Sequence, residues 1–269
     1  MCKPLIFGSG VSSFKDEKGL MAVCGKALDE SIFCFDTAPS YGTEKVLSRC
    51  ILTLAKEKGL SREQLAIQTK IDPIQMFHGN VEEYFKTKLK DMGLEYVDAL
   101  LIHWPVYKYF FKTWEEINQL KKEGFAKKIG ICNLRIEHLR KLKEVNIIPE
   151  ILQIERHPLN TFEEERQFCI QNGIELQDYS PLCKMHPLLK DNPLLKNLVD
   201  KYGKSVGAII LRWHVDTSAT PIFTSKKIGR IEEYSEIESF QLSSEDILAI
   251  NSLNINHKLY LESLVCPGF

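Results

Sequence analysis

Short runs of consecutive apolar residues alternate with longer amphipathic stretches along the chain. The short runs read as strands over residues 5–8, 32–36, 65–70, 97–103, 128–132, 151–155, 174–179 and 219–224. Most are apolar throughout and not at every second position, the pattern of parallel strands covered on both faces. The intervening stretches predict helices over residues 17–30, 44–58, 81–92, 113–123, 136–145, 162–172 and 206–215, and a last one over 244–253. Gly59, Gly93, Gly124 and Gly173 fall where helices should stop, as glycines just past a helix end commonly do. Ser243 or Ser244 is placed to cap the last helix. Residues 181–193 form the longest helix-poor interruption, consistent with a loop over a functional mouth. Eight strands alternating with helices predict either a closed barrel or an open doubly wound sheet, and the pattern alone does not choose. No linker or low-complexity tract divides the chain, so residues 1–269 read as a single domain.

Charge narrows the partners. With 35 basic and 36 acidic residues the net charge is −1, which leaves no general electrostatic footprint for nucleic acid or an anionic membrane. The eight cysteines include no C-x-x-C pair, and several sit inside apolar runs. They read as free, buried thiols and not as a zinc site or a disulfide framework. The first residues lack the long apolar core of an export signal, and no apolar run approaches the ~18 residues of a membrane span. The expectation is a cytoplasmic monomer that holds no metal.

Polar residues gather at the predicted strand ends: Asp36, Lys70, His103, Asn133 and Tyr179, with Tyr41 in the loop after the second strand. In an α/β barrel such ends converge on one mouth. Each residue alone has an ordinary explanation. Asp36 serves as a turn or N-cap residue, Lys70 snorkels, His103 is a satisfied core histidine, and Tyr41 is a loop aromatic. Taken jointly, they describe a proton-donating site. A phenol near its usual pKa of about 10 is a donor at neutral pH, and a nearby ammonium makes it more acidic. Lys70 is the candidate ammonium, Asp36 the carboxylate that keeps it charged, and His103 the group that orients a substrate oxygen. Nothing in this set transfers a hydride, so a cofactor must.

The stretch from Phe35 to Glu44, Phe-Asp-Thr-Ala-Pro-Ser-Tyr-Gly-Thr-Glu, resembles the D-T-A-x-x-Y-G-x-E signature of aldo-keto reductases. The resemblance continues through Gln68-Thr69-Lys70, the segment from Asp98 to Pro105, Gly130-Ile131-Cys132-Asn133, the segment from Gln153 to Pro158, Tyr179-Ser180-Pro181-Leu182 and Leu211-Arg212-Trp213. It spans nearly the whole chain in order. It implies a (β/α)8 barrel that reduces an aldehyde or ketone, with Asp36, Tyr41, Lys70 and His103 as catalytic tetrad and Tyr41 as general acid. It further implies that Asn133, Gln153, Ser180 and Cys132 hold the nicotinamide and that Tyr179 stacks on its ring. Ser225 and Arg230 would serve the adenine-ribose end, and Trp104 would wall the substrate pocket. Glu44 and His157-Pro158 are assigned to structure and packing.

The sequence also departs from that family. Cys132 replaces a usual serine, which weakens one polar contact. Thr224 stands where a lysine commonly meets the 2′-phosphate of NADPH, and Tyr234 where an adenine-binding asparagine is common. Because Arg230 is kept and Lys226 and Lys227 lie close by, NADPH is favoured, with NADH as the alternative. Val11 replaces a threonine in the first strand's turn, and the N-terminal hairpin that often plugs the barrel base is shortened or absent. Aromatic residues after the fourth strand (Tyr107, Tyr109, Phe110, Phe111) and the tail over 259–269 imply an apolar pocket wall for a small carbonyl. Two competing readings stay open: a cofactor-binding sensor barrel with little turnover, and an aldolase forming a Schiff base on Lys70.

Overall fold

The computed structural model describes residues 3–10 and 16–260. Eight parallel strands close on themselves: β1 (Ile6–Gly8), β2 (Cys34–Asp36), β3 (Ala66–Ile71), β4 (Val97–Ile102), β5 (Ala126–Cys132), β6 (Ile151–Glu155), β7 (Glu175–Tyr179) and β8 (Thr220–Phe223). β8 pairs back onto β1, with Ile6 opposite Ile222. The open-sheet alternative is thereby removed.

Among the described residues twelve α-helices accompany the strands: α1 (Glu17–Asp29), α2 (Glu44–Glu57), α3 (Pro73–His78), α4 (Val81–Met92), α5 (Tyr107–Lys122), α6 (Ile136–Glu144), α7 (Glu163–Asn172), α8 (Pro187–Lys190), α9 (Pro193–Tyr202), α10 (Val206–Asp216), α11 (Ile228–Ser235) and α12 (Ser244–Asn251). The main core lies between strands and helices, where Phe7, Phe35 and Ile67 meet Leu20, Leu47 and Ile51. The region over 181–193 is not helix-free. It holds a short 3-10 turn (Cys183–Met185), all of α8 and the first residue of α9. The aromatic run from Tyr107 is likewise the start of a helix and not a loop.

Inside the barrel the strands show their other face. Gln68 of β3 donates to Gln177 of β7 at 2.8 Å across the lumen, and Gln153 of β6 reaches the same oxygen at 3.1 Å. The lumen is therefore a hydrogen-bonded polar column beneath the mouth, with buried amides that would be costly if unpaired. Gly130 keeps this interior closed, because a Cβ there would come within 2.4 Å of the Ile151 carbonyl oxygen. Among the described residues no hairpin precedes β1. At that end of the barrel lies a cavity of about 260 Å³, lined in part by Ile6, Cys34, Gln68 and Gln177. The register sets Gly8 opposite Asp36, Asp36 opposite Gln68, and Cys132 opposite Gln153. Polar strand ends thus arrive at one rim.

Candidate active site

At that rim Lys70, 1% exposed, is the central cation. Its Nζ donates to Asp36 Oδ1 at 2.7 Å, Asp36 Oδ2 at 2.8 Å and Thr37 O at 3.0 Å, and it lies 3.4 Å from the Tyr41 hydroxyl. Asp36 Oδ1 also accepts from Gln68 at 2.8 Å and Gln153 at 3.3 Å. The carboxylate is thus saturated with donors, the condition for holding charge away from water. Burial is the largest single effect and works against the charged lysine. The Asp36 charge, with smaller contributions from Tyr41, Cys132 and the Asp36 hydrogen bonds, outweighs it, and the ammonium titrates above its ordinary range. A protonated amine is no nucleophile, so this arrangement disfavours the Schiff-base reading.

Tyr41 ends a 3-10 turn (Pro39–Tyr41) started by a proline and closed by Gly42 at φ 68°, a left-handed backbone that suits glycine. A Cβ at Gly10 would sit 3.0 Å from the Tyr41 ring, so a bare backbone there lets the ring lie flat against the β1 end. The expected net acidification is not found. Burial pushes the Tyr41 phenol up to about 12, the Lys70 ammonium pulls it down by less, and Asp36 adds to the rise. The phenol therefore stays protonated at neutral pH. The ammonium's larger effect comes only as charge develops on the oxygen.

His103 follows β4 and sets its ring edge-to-face on Tyr41, centroids 5.7 Å apart. Its Nδ1 hydrogen-bonds Asp72 Oδ1. Burial lowers its pKa, and the Asp72 contact opposes that. Asn133, at φ 63°, donates to the His103 carbonyl at 2.9 Å and accepts from the Tyr179 hydroxyl at 2.8 Å. Together they frame a cavity of about 400 Å³.

Asp36, Tyr41, His103 and Trp104 line it, and so do Asn133, Gln153, Tyr179 and Ser180; Lys70 lies just beneath. Cys132, Ser225 and Arg230 do not line it. Cys132 is fully buried, packed with Ala99, Leu101 and Ile151. The Ser225 hydroxyl closes a local turn with Lys227, at 3.0 Å to both its N and its O. Arg230 is exposed on α11. Tyr234 is packed edge-on against Phe223 at 5.6 Å. Thr224 does reach the cavity while donating to Gly8 O at 2.8 Å. Val11, Cys2, Cys266 and the tail beyond Tyr260 lie outside the described residues.

Of three further residues at the site, two were not singled out from sequence, and the third, Tyr260, falls in the tail expected to wall the pocket. Asp72 is one. Glu155, at the end of β6, is another: its carboxylate accepts from the backbone N–H groups of Leu259 at 2.6 Å and Tyr260 at 3.0 Å. His157 steadies it at 3.0 Å. This strap brings the third, Tyr260, into the cavity wall, edge-on to Tyr179 at 5.9 Å. Their only sequence signal was an acidic strand end and an aromatic tail. The carboxamides of Asn133 and Gln153 beside the flat Tyr179 ring, with side-chain-free Gly8 and Gly10 opposite, fit a planar ring bearing an amide, such as a nicotinamide.

A proton source beside a platform for such a ring is the equipment of a nicotinamide-dependent oxidoreductase acting on carbonyls. Comparison with known proteins agrees, and the chain belongs to the Aldo/keto reductase family, which it matches over residues 4–255. It is 36% identical over 251 residues to "Uncharacterized oxidoreductase YtbE" of Bacillus subtilis (strain 168), covering 93% of this chain and 89% of that one. It is 35% identical over 256 residues to a glyoxal reductase of the same organism, covering 94% and 90%. Among solved structures, an aldo-keto reductase of Bombyx mori in complex with NADP superposes with a TM-score of 0.85 at 28% identity, covering 96% of this chain and 91% of that one. The chain is an NAD(P)H-dependent carbonyl reductase. Among the described residues no helix is long and apolar enough to cross a membrane.

Proposed function

We propose that this chain reduces a small aldehyde or ketone with NADPH, and that Tyr41 hands its proton to the carbonyl oxygen. The observation behind this reading is the position of Lys70, bonded to both oxygens of Asp36 and 3.4 Å from the Tyr41 hydroxyl. When bound, the nicotinamide supplies the hydride. Tyr41 gives its hydroxyl hydrogen to the substrate oxygen, and the phenolate left behind is met by the Lys70 ammonium. Asp36 holds that ammonium in place, so the charge arises where its partner already sits. His103 fixes the oxygen beside Tyr41, and Trp104 and Tyr260 exclude water from the mouth. Asn133, Gln153 and Ser180 orient the carboxamide, and Tyr179 sets the ring's face, which is where positioning contributes most. Cys132 acts on that ring only through packing.

The exposed cations Lys226, Lys227 and Arg230 at the start of α11, close to Ser225, support NADPH over NADH. A 2-oxoaldehyde is the first substrate class to test, since relatives are named for glyoxal and methylglyoxal. The balanced charge and undivided barrel support a single-domain, cytoplasmic monomer that engages neither membrane nor nucleic acid. The test is titration of intrinsic fluorescence with NADPH and NADH, followed by a panel of chemically varied carbonyls including 2-oxoaldehydes. Tighter binding of NADPH and its oxidation by at least one carbonyl is expected. Binding without oxidation across the whole panel would select the sensor reading instead.

A further inference from the structure

Asp72 lies one residue past β3 and two beyond Lys70, and it is 5% exposed. Its two carboxylate oxygens have divided work. Oδ2 accepts the Ser40 backbone N–H at 2.7 Å, in the turn that ends with Tyr41. Oδ1 meets Nδ1 of His103. Its own backbone N–H donates to Gln75 Oε1 at 3.0 Å, which anchors the peptide at the start of α3. One buried carboxylate therefore touches the loop bearing the phenol and the imidazole that faces it.

An ionised carboxylate can only accept, so the hydrogen in the contact belongs to His103 Nδ1. The ring nitrogen left for the cavity is Nε2. A neutral imidazole with hydrogen on Nδ1 presents a bare lone pair at Nε2; only the imidazolium donates there. A carbonyl oxygen needs a donor. An alcohol hydroxyl can use an acceptor. The two directions of the reaction thus call for opposite charge states of the same ring.

We propose that Asp72 is a positioning residue that fixes the Nδ1 hydrogen of His103 and, through its charge, sustains the imidazolium whose Nε2–H receives the carbonyl oxygen. This rests on the carbonyl-reduction reading. The groups facing His103 divide clearly. Lys70 on β3 opposes its protonation, and Asp36 on β2 supports it. The Tyr41 phenol and the buried Cys132 thiol on β5 are both pushed upward by burial, and so are neutral near pH 7. Burial lowers the His103 pKa most, the bond to Asp72 is the largest opposing effect, and the balance leaves the ring below the ordinary imidazole range, so that without Asp72 the imidazolium would be scarcer still. Asp72 in turn is held below the ordinary carboxylate range: burial raises it, and the His103 and Ser40 contacts more than compensate.

The experiment uses the full chain with NADPH and a carbonyl that it turns over. The kcat/KM for reduction and for oxidation of the matching alcohol is measured over roughly pH 5–9 in wild type, Asp72→Asn and Asp72→Glu. In wild type, reduction falls and oxidation rises as pH climbs through the His103 titration. In Asp72→Asn both limbs move about one unit or more to lower pH, with cofactor affinity unchanged, and Asp72→Glu restores them toward wild type. A folded Asp72→Asn protein with wild-type limbs overturns the proposal. The imidazole ¹⁵N spectrum of wild type with its NADP⁺ complex tests the tautomer without any variant or turnover. Hydrogen on Nδ1 throughout the titration is expected, and a neutral ring with hydrogen on Nε2 refutes the assignment. A wild type that reduces no carbonyl would instead sink the functional reading, leaving the spectrum to judge Asp72.

Discussion

Replacing Lys70 by methionine keeps most of the side chain's length and removes only its charge and donors. The structure gives two separable consequences. Asp36, 3% exposed, would lose the ammonium bonded to both its oxygens and keep only the Gln68 and Gln153 amides. Breaking a buried pair from one side costs about 3–5 kcal/mol, because the remaining charge is left uncompensated. The second consequence is chemical. At 3.4 Å and an effective dielectric of about 20, an ammonium attracts a full phenolate charge by about 5 kcal/mol. If half that charge has formed at the transition state, the lost attraction is about 2–3 kcal/mol, or roughly 10²-fold in rate. Urea denaturation measures the first quantity, and single-turnover reduction at saturating NADPH the second. The double variant Asp36→Asn/Lys70→Met should be less damaged in stability than the two single costs add to, by about 1–3 kcal/mol, as expected for residues in contact. A Lys70→Met protein less than about 1 kcal/mol destabilised, or one turning over like wild type, would refute the picture of a charged lysine held by Asp36.

Two further outcomes follow from the same geometry. Tyr260→Ala should widen the mouth and raise the kcat/KM ratio of a bulky aromatic aldehyde to a small one by about tenfold, the scale of a modest change in an apolar pocket. An unchanged ratio would remove Tyr260 from the pocket wall. Acid sensitivity should report on Asp178, which is fully buried and bonded to Arg156 at 2.8 Å and His214 at 2.6 Å. Burial raises its pKa, and the Arg156 charge with the His214 bond more than reverses this, leaving it below the ordinary carboxylate range. A folded pKa lower than the unfolded one adds stability that is complete above about pH 4 and lost on further acidification. Asp178→Asn should therefore flatten the fall of unfolding free energy below about pH 4, read by urea denaturation at stepped pH. An acid limb as steep as in wild type would contradict the assignment.

The strands were legible because most of their residues are covered on both faces, with Lys127 and Lys128 of β5 the exposed exceptions, so their apolar runs stand out against amphipathic helices. Some of their ends moved where burial and pairing part company: Ile32 and Phe33 are apolar but lie outside β2. Closure was not legible in the strand-and-helix pattern, since pairing of β8 with β1 is a contact between the chain's two ends; it was the family resemblance that implied the closed (β/α)8 barrel found here. The early start of α5 was hidden because Tyr107-Lys108-Tyr109-Phe110-Phe111 is nearly all aromatic. Its helical period shows only when buried Phe110 is joined to Trp114 and Ile117. The strand-end residues fell together at one rim as their positions required. Asp72 was missed because an acidic residue before a proline reads as a helix start, and only the third dimension brings His103 to it. The net acidity of Tyr41 was misjudged for a related reason. Sequence names the neighbouring ammonium but gives no measure of burial, and here burial is the larger effect.

Proton delivery in this site comes down to a single hydroxyl. Tyr41→Phe keeps the ring against Gly10 and His103 and deletes only the oxygen beside Lys70, so the decisive measurement is the single-turnover rate of carbonyl reduction in this variant with NADPH saturating. A fall of about 10²–10⁴-fold is expected, with NADPH affinity unchanged; a rate equal to that of wild type would mean that another group delivers the proton.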